Sequence, residues 1–252
     1  MLSMRRALSI LSATATGLVI VQILRTVRRT DLPSFPNQDS SGFFGRSDLP
    51  PLRIVALGDS SITAPGVENL DNTWVRRIAI TLSSIHRIEM ISVAVGGSRA
   101  LNVIEGQLAE AVRLAPDVAI VSIGANDALR TPSPERYRRE LRRILSALDQ
   151  AGRAIVVLGI GDLGSIPRLS LMLKPILTRR AARFDEITSS VVAEFGRAVK
   201  VPTVGPISTA FWQDSRLFAS DQFHPGDEGH SIFAQQALPA VRAAIVIAEG
   251  RQ

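Results

Sequence analysis

Three short polar clusters interrupt a chain built mostly from apolar runs: Gly58-Asp59-Ser60-Ser61, Gly124-Ala125-Asn126-Asp127 and Asp221-Gln222-Phe223-His224-Pro225. They hold the parts needed for nucleophilic acyl transfer. A serine hydroxyl is a weak nucleophile until a base within hydrogen-bond reach takes its proton. An imidazole titrates near neutrality, so it can accept that proton and return it to a leaving alcohol. The second ring nitrogen then needs an acceptor to fix the tautomer, which a carboxylate supplies. Asp221 lies three residues before His224, so one turn can carry both. Attack on a carbonyl also builds negative charge on oxygen, and donors for it must be in place beforehand. Taken singly, each cluster has a plainer reading as a helix cap, a turn or a coincidence. Their conjunction points to a site.

Such groups need a scaffold that gathers them. From Leu52 onward, short apolar runs alternate with stretches of helical spacing. Strands are expected over 53–58, 88–95, 117–123, 154–160 and about 199–204. Helical spacing runs over 73–86, and through Leu101, Ile104, Leu108, Ala111 and Val112 up to Pro116. A third helix has Ser133 as its cap, Pro134 in its first turn and Gly152 at its end. A long basic, partly helical region reaches about Phe195, and a last helix follows Gly229. Continuous apolar strands alternating with helices imply a parallel sheet covered on both faces. Functional groups gather at the carboxyl ends of such strands. The Gly58 and Gly124 clusters fall at those ends.

The 252 residues suffice for one α/β domain and leave little room for a second. With no cysteine, disulfides, thiolate nucleophiles and zinc–thiolate or iron–sulfur sites are excluded. The net charge of +6 is concentrated at one end: residues 1–31 hold five arginines against one aspartate, a balance of +4, which leaves +2 for the rest. Basic residues around an apolar stretch suit anionic lipid headgroups better than nucleic acid, and no nucleic-acid partner is expected. The uncharged stretch 7–24, flanked by Arg5, Arg6 and Arg25, is just long enough to cross a bilayer. It reads as an uncleaved anchor more than a signal peptide, because no small-x-small cleavage site follows it. The expected organisation is an anchor helix over 1–30, a Pro/Ser/Gly-rich linker over 31–51 and a catalytic domain over 52–252. Arginines on both flanks leave the orientation open, with the extracytoplasmic side favoured.

In their order and placement, the three clusters resemble the SGNH (GDSL-type) hydrolases, over about residues 52–248. The resemblance implies a flavodoxin-like three-layer α/β/α sandwich with about five parallel strands, here preceded by the N-terminal hydrophobic helix. It makes Ser60, not Ser61, the nucleophile, with His224 as base and Asp221 orienting it. The oxyanion hole would comprise the Ser60 N–H, the Gly97 N–H and the Asn126 amide. Many members carry an asparagine where this chain has Ser92, and Gly96 adjoins Gly97. The implied activity is carboxylic ester hydrolysis, esterase- or lipase-like, through an acyl-serine. Its substrate would be an ester-containing small molecule or lipid, with no cofactor and no metal. The alternatives are an acyltransferase or O-deacetylase acting on a sugar or lipid with the same triad, and a catalytically silent membrane-tethered binding module. The oligomeric state is not legible.

Other polar residues have bland expectations. His86 reads as a surface residue at a helix end, and His230 as the opening of the last helix near the site. Asp59 serves the turn, and Asp127 and Asp162 are structural carboxylates. Segment 166–177 is a packed helix or, functionally, a lid or wall of an acyl pocket.

Overall fold

The computed structural model describes residues 31–130 and 132–250. Six strands form one sheet: β1 Gly42–Phe44, β2 Pro51–Gly58, β3 Arg87–Ser92, β4 Val118–Ser122, β5 Ala154–Leu158 and β6 Ala198–Val201. Their order is β1-β3-β2-β4-β5-β6. The five strands β2 to β6 run parallel, as expected, and β1 adds an antiparallel edge on β3. The chain winds from β2 to β3 on one side, then returns to β4 on the other. The crevice between the ends of β2 and β4 is therefore the topological switch point.

Every residue of β4 and β5 is buried, because helices cover both faces. Alternate residues point to opposite sides. Val55, Leu57, Ala119 and Val121 meet α3 (Ala100–Gly106), α4 (Leu108–Arg113), α6 (Pro134–Gln150) and α7 (Lys174–Val192). Ile54, Ala56, Val118 and Ile120 meet α2 (Trp74–Leu82) and α9 (Asp227–Glu249). Short helices α1 (Ser60–Thr63), α5 (Ala125–Leu129) and α8 (Pro206–Gln213) sit at the carboxyl edge of the sheet. Helix α6 begins where its sequence says: the Ser133 hydroxyl accepts the Arg136 N–H and Pro134 occupies the first turn. Its Leu141, Ile144, Leu145 and Leu148 are fully buried, each contributing about 1.5–3 kcal/mol.

Two expectations change. The stripe through Leu101 and Val112 is not one helix but two, α3 and α4, because Gln107 leaves helical geometry and turns its amide under the sheet edge. The inward residues are consequently Ala100, Val103, Leu108 and Ala111. The segment 31–51 is partly built into the domain. It contributes β1, and Gln38 and Ser40 donate to carbonyls of residues 62–67. The anchor expected over 7–24 lies outside the described residues. Among those described, one helix is long and apolar enough to cross a bilayer, and it is α9 at the other end of the chain. Its Ala237, Val241, Ala244 and Ile245 are buried in the core against the sheet, so that face already has its partner.

Candidate active site

At the end of β2 the backbone at Gly58 takes φ +146°, and a Cβ there would lie 1.9 Å from the Ser122 carbonyl oxygen. Only glycine lets β2 and β4 approach so closely before the chain turns into α1. Gln107 clamps the same residue: Oε1 accepts the Gly58 N–H at 2.7 Å, and Nε2 donates to the Gly58 carbonyl and to Ser98 Oγ. Asp59, 2% exposed, caps α1 by accepting the Ser61 N–H at 3.0 Å. Its other oxygen accepts from Asn126 Nδ2 at 3.3 Å, tying the first cluster to the second. Burial pushes the Asp59 carboxyl above its ordinary value, against the pull of these hydrogen bonds.

Ser60 opens α1 on the wall of a cavity of about 140 Å³. Ser61 lines it too, but its hydroxyl is hydrogen-bonded to that of Ser122. Asn126 reaches the cavity from α5, which starts at Gly124, a left-handed residue with φ +116°.

The third cluster is a tight loop closed by the Phe218–Pro225 bridge and by Ala219 N–H donating to the His224 carbonyl. Asp221 Oδ1 accepts the N–H groups of Phe223 and His224 at 2.9 and 3.0 Å, and Oδ2 lies 2.6 Å from His224 Nδ1. The aspartate thus contacts the imidazole three residues on. Burial raises the Asp221 carboxyl, but the His224 ring and the two loop N–H groups outweigh it and leave it below its ordinary value. His224 lines the same cavity as Ser60 and Asn126. Gly97 is not among the residues that line this cavity. With φ +76° it holds the left-handed position of a turn closed by Ser98 N–H to the Val95 carbonyl.

The two remaining histidines are structural. His86, expected at the surface, is 8% exposed. His230 is fully buried, its Nδ1 accepts the Trp74 N–H at 3.2 Å, and burial pushes its pKa down to about 3. A neutral ring held this way does not meet substrate. Asp162 accepts from the Gly164 N–H, Thr178 Oγ1 and Trp212 Nε1. Among the described residues no three metal-ligating side chains cluster.

Sequence reasoning missed Gln107, Ser122 and the strap 37–41 that grips α1. For Gln107 a signal existed, a polar residue inside an otherwise apolar stripe. For the strap there was none, because its bonds run from a segment without periodicity to distant carbonyls.

Residues 56–232 match the model of the GDSL-like lipase/acylhydrolase family. A GDSL-like esterase of Mycobacterium tuberculosis is 27% identical over 203 residues, which are 77% of this chain and 63% of that protein. The chain thus spans under two thirds of that relative's length. Among solved structures, TesA aligns at TM-score 0.64 with 18% identity, over 76% of this chain and 99% of its own. An acetylxylan esterase of Geobacillus stearothermophilus aligns at 0.61 with 14% identity, over 77% and 95%. The esterase EstA of a Pseudoalteromonas species aligns at 0.60 with 16% identity, over 76% and 97%. At such identities these structures speak for the fold alone. The family match covers most of the chain, and the chain belongs to the GDSL-like lipase/acylhydrolase family.

Proposed function

We propose that the protein hydrolyses carboxylic esters through an acyl-Ser60 intermediate. The observation that carries this reading is Ser60, Asn126 and the Asp221-oriented His224 on one cavity wall. Ser60 Oγ attacks the ester carbonyl carbon as His224 Nε2 takes its proton. Asp221 holds the ring through Nδ1 and stabilises the imidazolium. The negative charge on the carbonyl oxygen meets the Ser60 N–H, the Asn126 amide and the Gly97 N–H. Collapse of the tetrahedral species breaks the ester C–O bond, and His224 protonates the departing alcohol. Water, deprotonated by the same imidazole, then attacks the acyl-enzyme and releases the acid and Ser60.

The cavity favours an apolar acyl group. Ile123, Leu129, Ile160, Ile166, Ile207 and Phe211 line it. Its volume of about 140 Å³ is close to that of an apolar cavity that holds benzene, about six carbons. Acyl chains of about four to eight carbons are therefore preferred over acetyl, which makes O-deacetylation the weaker alternative. Residues 7–24 act as a membrane tether, with the domain on the extracytoplasmic side.

The test is hydrolysis of p-nitrophenyl acetate through palmitate by the full chain and by Ser60→Ala and Asn126→Ala. Turnover should vanish with Ser60, peak at intermediate chain length and fall about a hundred- to a thousandfold with Asn126. Undiminished turnover in Ser60→Ala would sink the acyl-serine mechanism, and a near-parental rate in Asn126→Ala would remove that amide from it.

A further inference from the structure

Ten large apolar side chains stay exposed among the described residues, and half of them flank the cavity: Leu171, Met172, Ile176, Val204 and Trp212. Leu171 and Met172 occupy the turn between the wall residue Ile166 and α7, and Ile176 lies in the first turn of α7. Val204 precedes α8 and Trp212 lies in its last turn, while Ile207 and Phe211 of the same helix line the cavity. Leu169, Leu173 and Leu177, neighbours of the exposed residues along the chain, satisfy the core. That packing leaves Leu171, Met172, Ile176 and Val204 between 48% and 82% exposed.

The two stretches are locked together. The Lys174 ammonium sits 5.2 Å from the centre of the Trp212 ring. Asp162 accepts from both Trp212 Nε1 and Thr178 Oγ1, each at 2.7 Å. The rim is thus a preformed surface at the carboxyl edge of the sheet. Exposed apolar side chains gathered next to a binding cavity mark an interaction site more often than singly scattered ones.

Two further observations select the partner. Between Asp162 and Asp185 the chain carries Arg168, Lys174, Arg179, Arg180 and Arg183 with no acidic residue, although Arg183 pairs with Glu186 and Arg180 donates to backbone carbonyls of residues 127–132. That balance suits an anionic lipid surface. The start of the described chain also lies at this edge. The Phe35 ring packs at Gly66 beside Ala219, two residues from Asp221, and Asn37 Oδ1 bonds to Thr63 of α1. The described chain therefore begins beside the loop that carries Asp221 and His224.

We propose that the rim formed by Leu171, Met172, Ile176, Val204 and Trp212 docks onto an anionic phospholipid bilayer, so that the cavity takes ester substrate from the membrane interface. The identity of that substrate rests on the ester-hydrolase reading; the docking itself does not.

The protein carries its own reporter. Of its two tryptophans, Trp74 is fully buried and Trp212 is 48% exposed. The full chain is mixed with vesicles whose phosphatidylglycerol bears brominated acyl chains, and tryptophan emission is followed. The quenched fraction should be lost in Trp212→Phe, fall at least about threefold in Leu171→Ser/Met172→Ser, and require the anionic lipid. Quenching that is absent, unchanged in the double variant or equal in pure brominated phosphatidylcholine would overturn the proposal. Hydrolysis of dissolved p-nitrophenyl butyrate is measured on the same samples. Its absence would count against ester hydrolysis and leave the quenching result to decide docking alone.

Discussion

Asp127 offers a quantitative test of the site's electrostatics. Its side chain is fully buried beside Asn126 and accepts the Ala100 N–H at the start of α3 at 3.1 Å. Burial pushes its pKa up from 3.8 to about 6, with Glu140 and Asp59 adding to the effect and the Ala100 N–H opposing it. Between those two values the folded protein holds a proton that the unfolded chain releases. Stability from this residue is therefore complete below about pH 4, lost as pH rises to about 6, and flat above. At 1.36 kcal/mol per pH unit the full loss is about 3 kcal/mol, of which roughly half has occurred by pH 5. Asp127→Asn abolishes the titration. Its stability relative to the parent should improve by about 1.4 kcal/mol between pH 5 and pH 8, or about 3–6 °C in Tm for a domain of this size. Any packing cost of the amide is common to both pH values and cancels. Thermal melts of the two proteins at each pH make the measurement. A Tm difference identical at both, or more favourable to the variant at pH 5, would refute the reasoning.

Two further outcomes follow from the contacts beneath Ser60. Gln107→Leu leaves the buried Gly58 N–H without its acceptor and removes the donor to the Gly58 carbonyl, a loss of about 2–4 kcal/mol. Its Tm should drop by roughly 4–16 °C, and an unchanged melting curve would show that Gly58 does not depend on this clamp. A chain begun at Gly42 lacks the bonds that Asn37, Gln38 and Ser40 make to residues 62–67, whereas one begun at Asp31 keeps them. Ester turnover should be at least about tenfold lower in the shorter chain; equal rates would make the strap dispensable.

Periodicity and residue type alone were enough for the parallel sheet, the order of its main elements and the clusters that meet at its carboxyl edge. The reason is physical: a strand buried on both faces has to be apolar through its length, as 118–121 and 154–158 are. A helix cap such as Ser133-Pro134 is a local event that sequence displays directly. The contact of Asp221 with His224 was within reach of a three-residue spacing, but only the loop closed by Phe218 and Pro225 decided that Asp221 meets the His224 ring while that ring faces Ser60's cavity. Long-range polar pairings were not legible, because a hydrogen bond from Gln107 to Gly58 or from Ser40 to Ile62 leaves no periodic trace along the chain. The same holds for burial of ionisable groups. His86 and His230 look alike in sequence to any titrating histidine, and it is the core packed around His230 that holds it neutral and away from the chemistry.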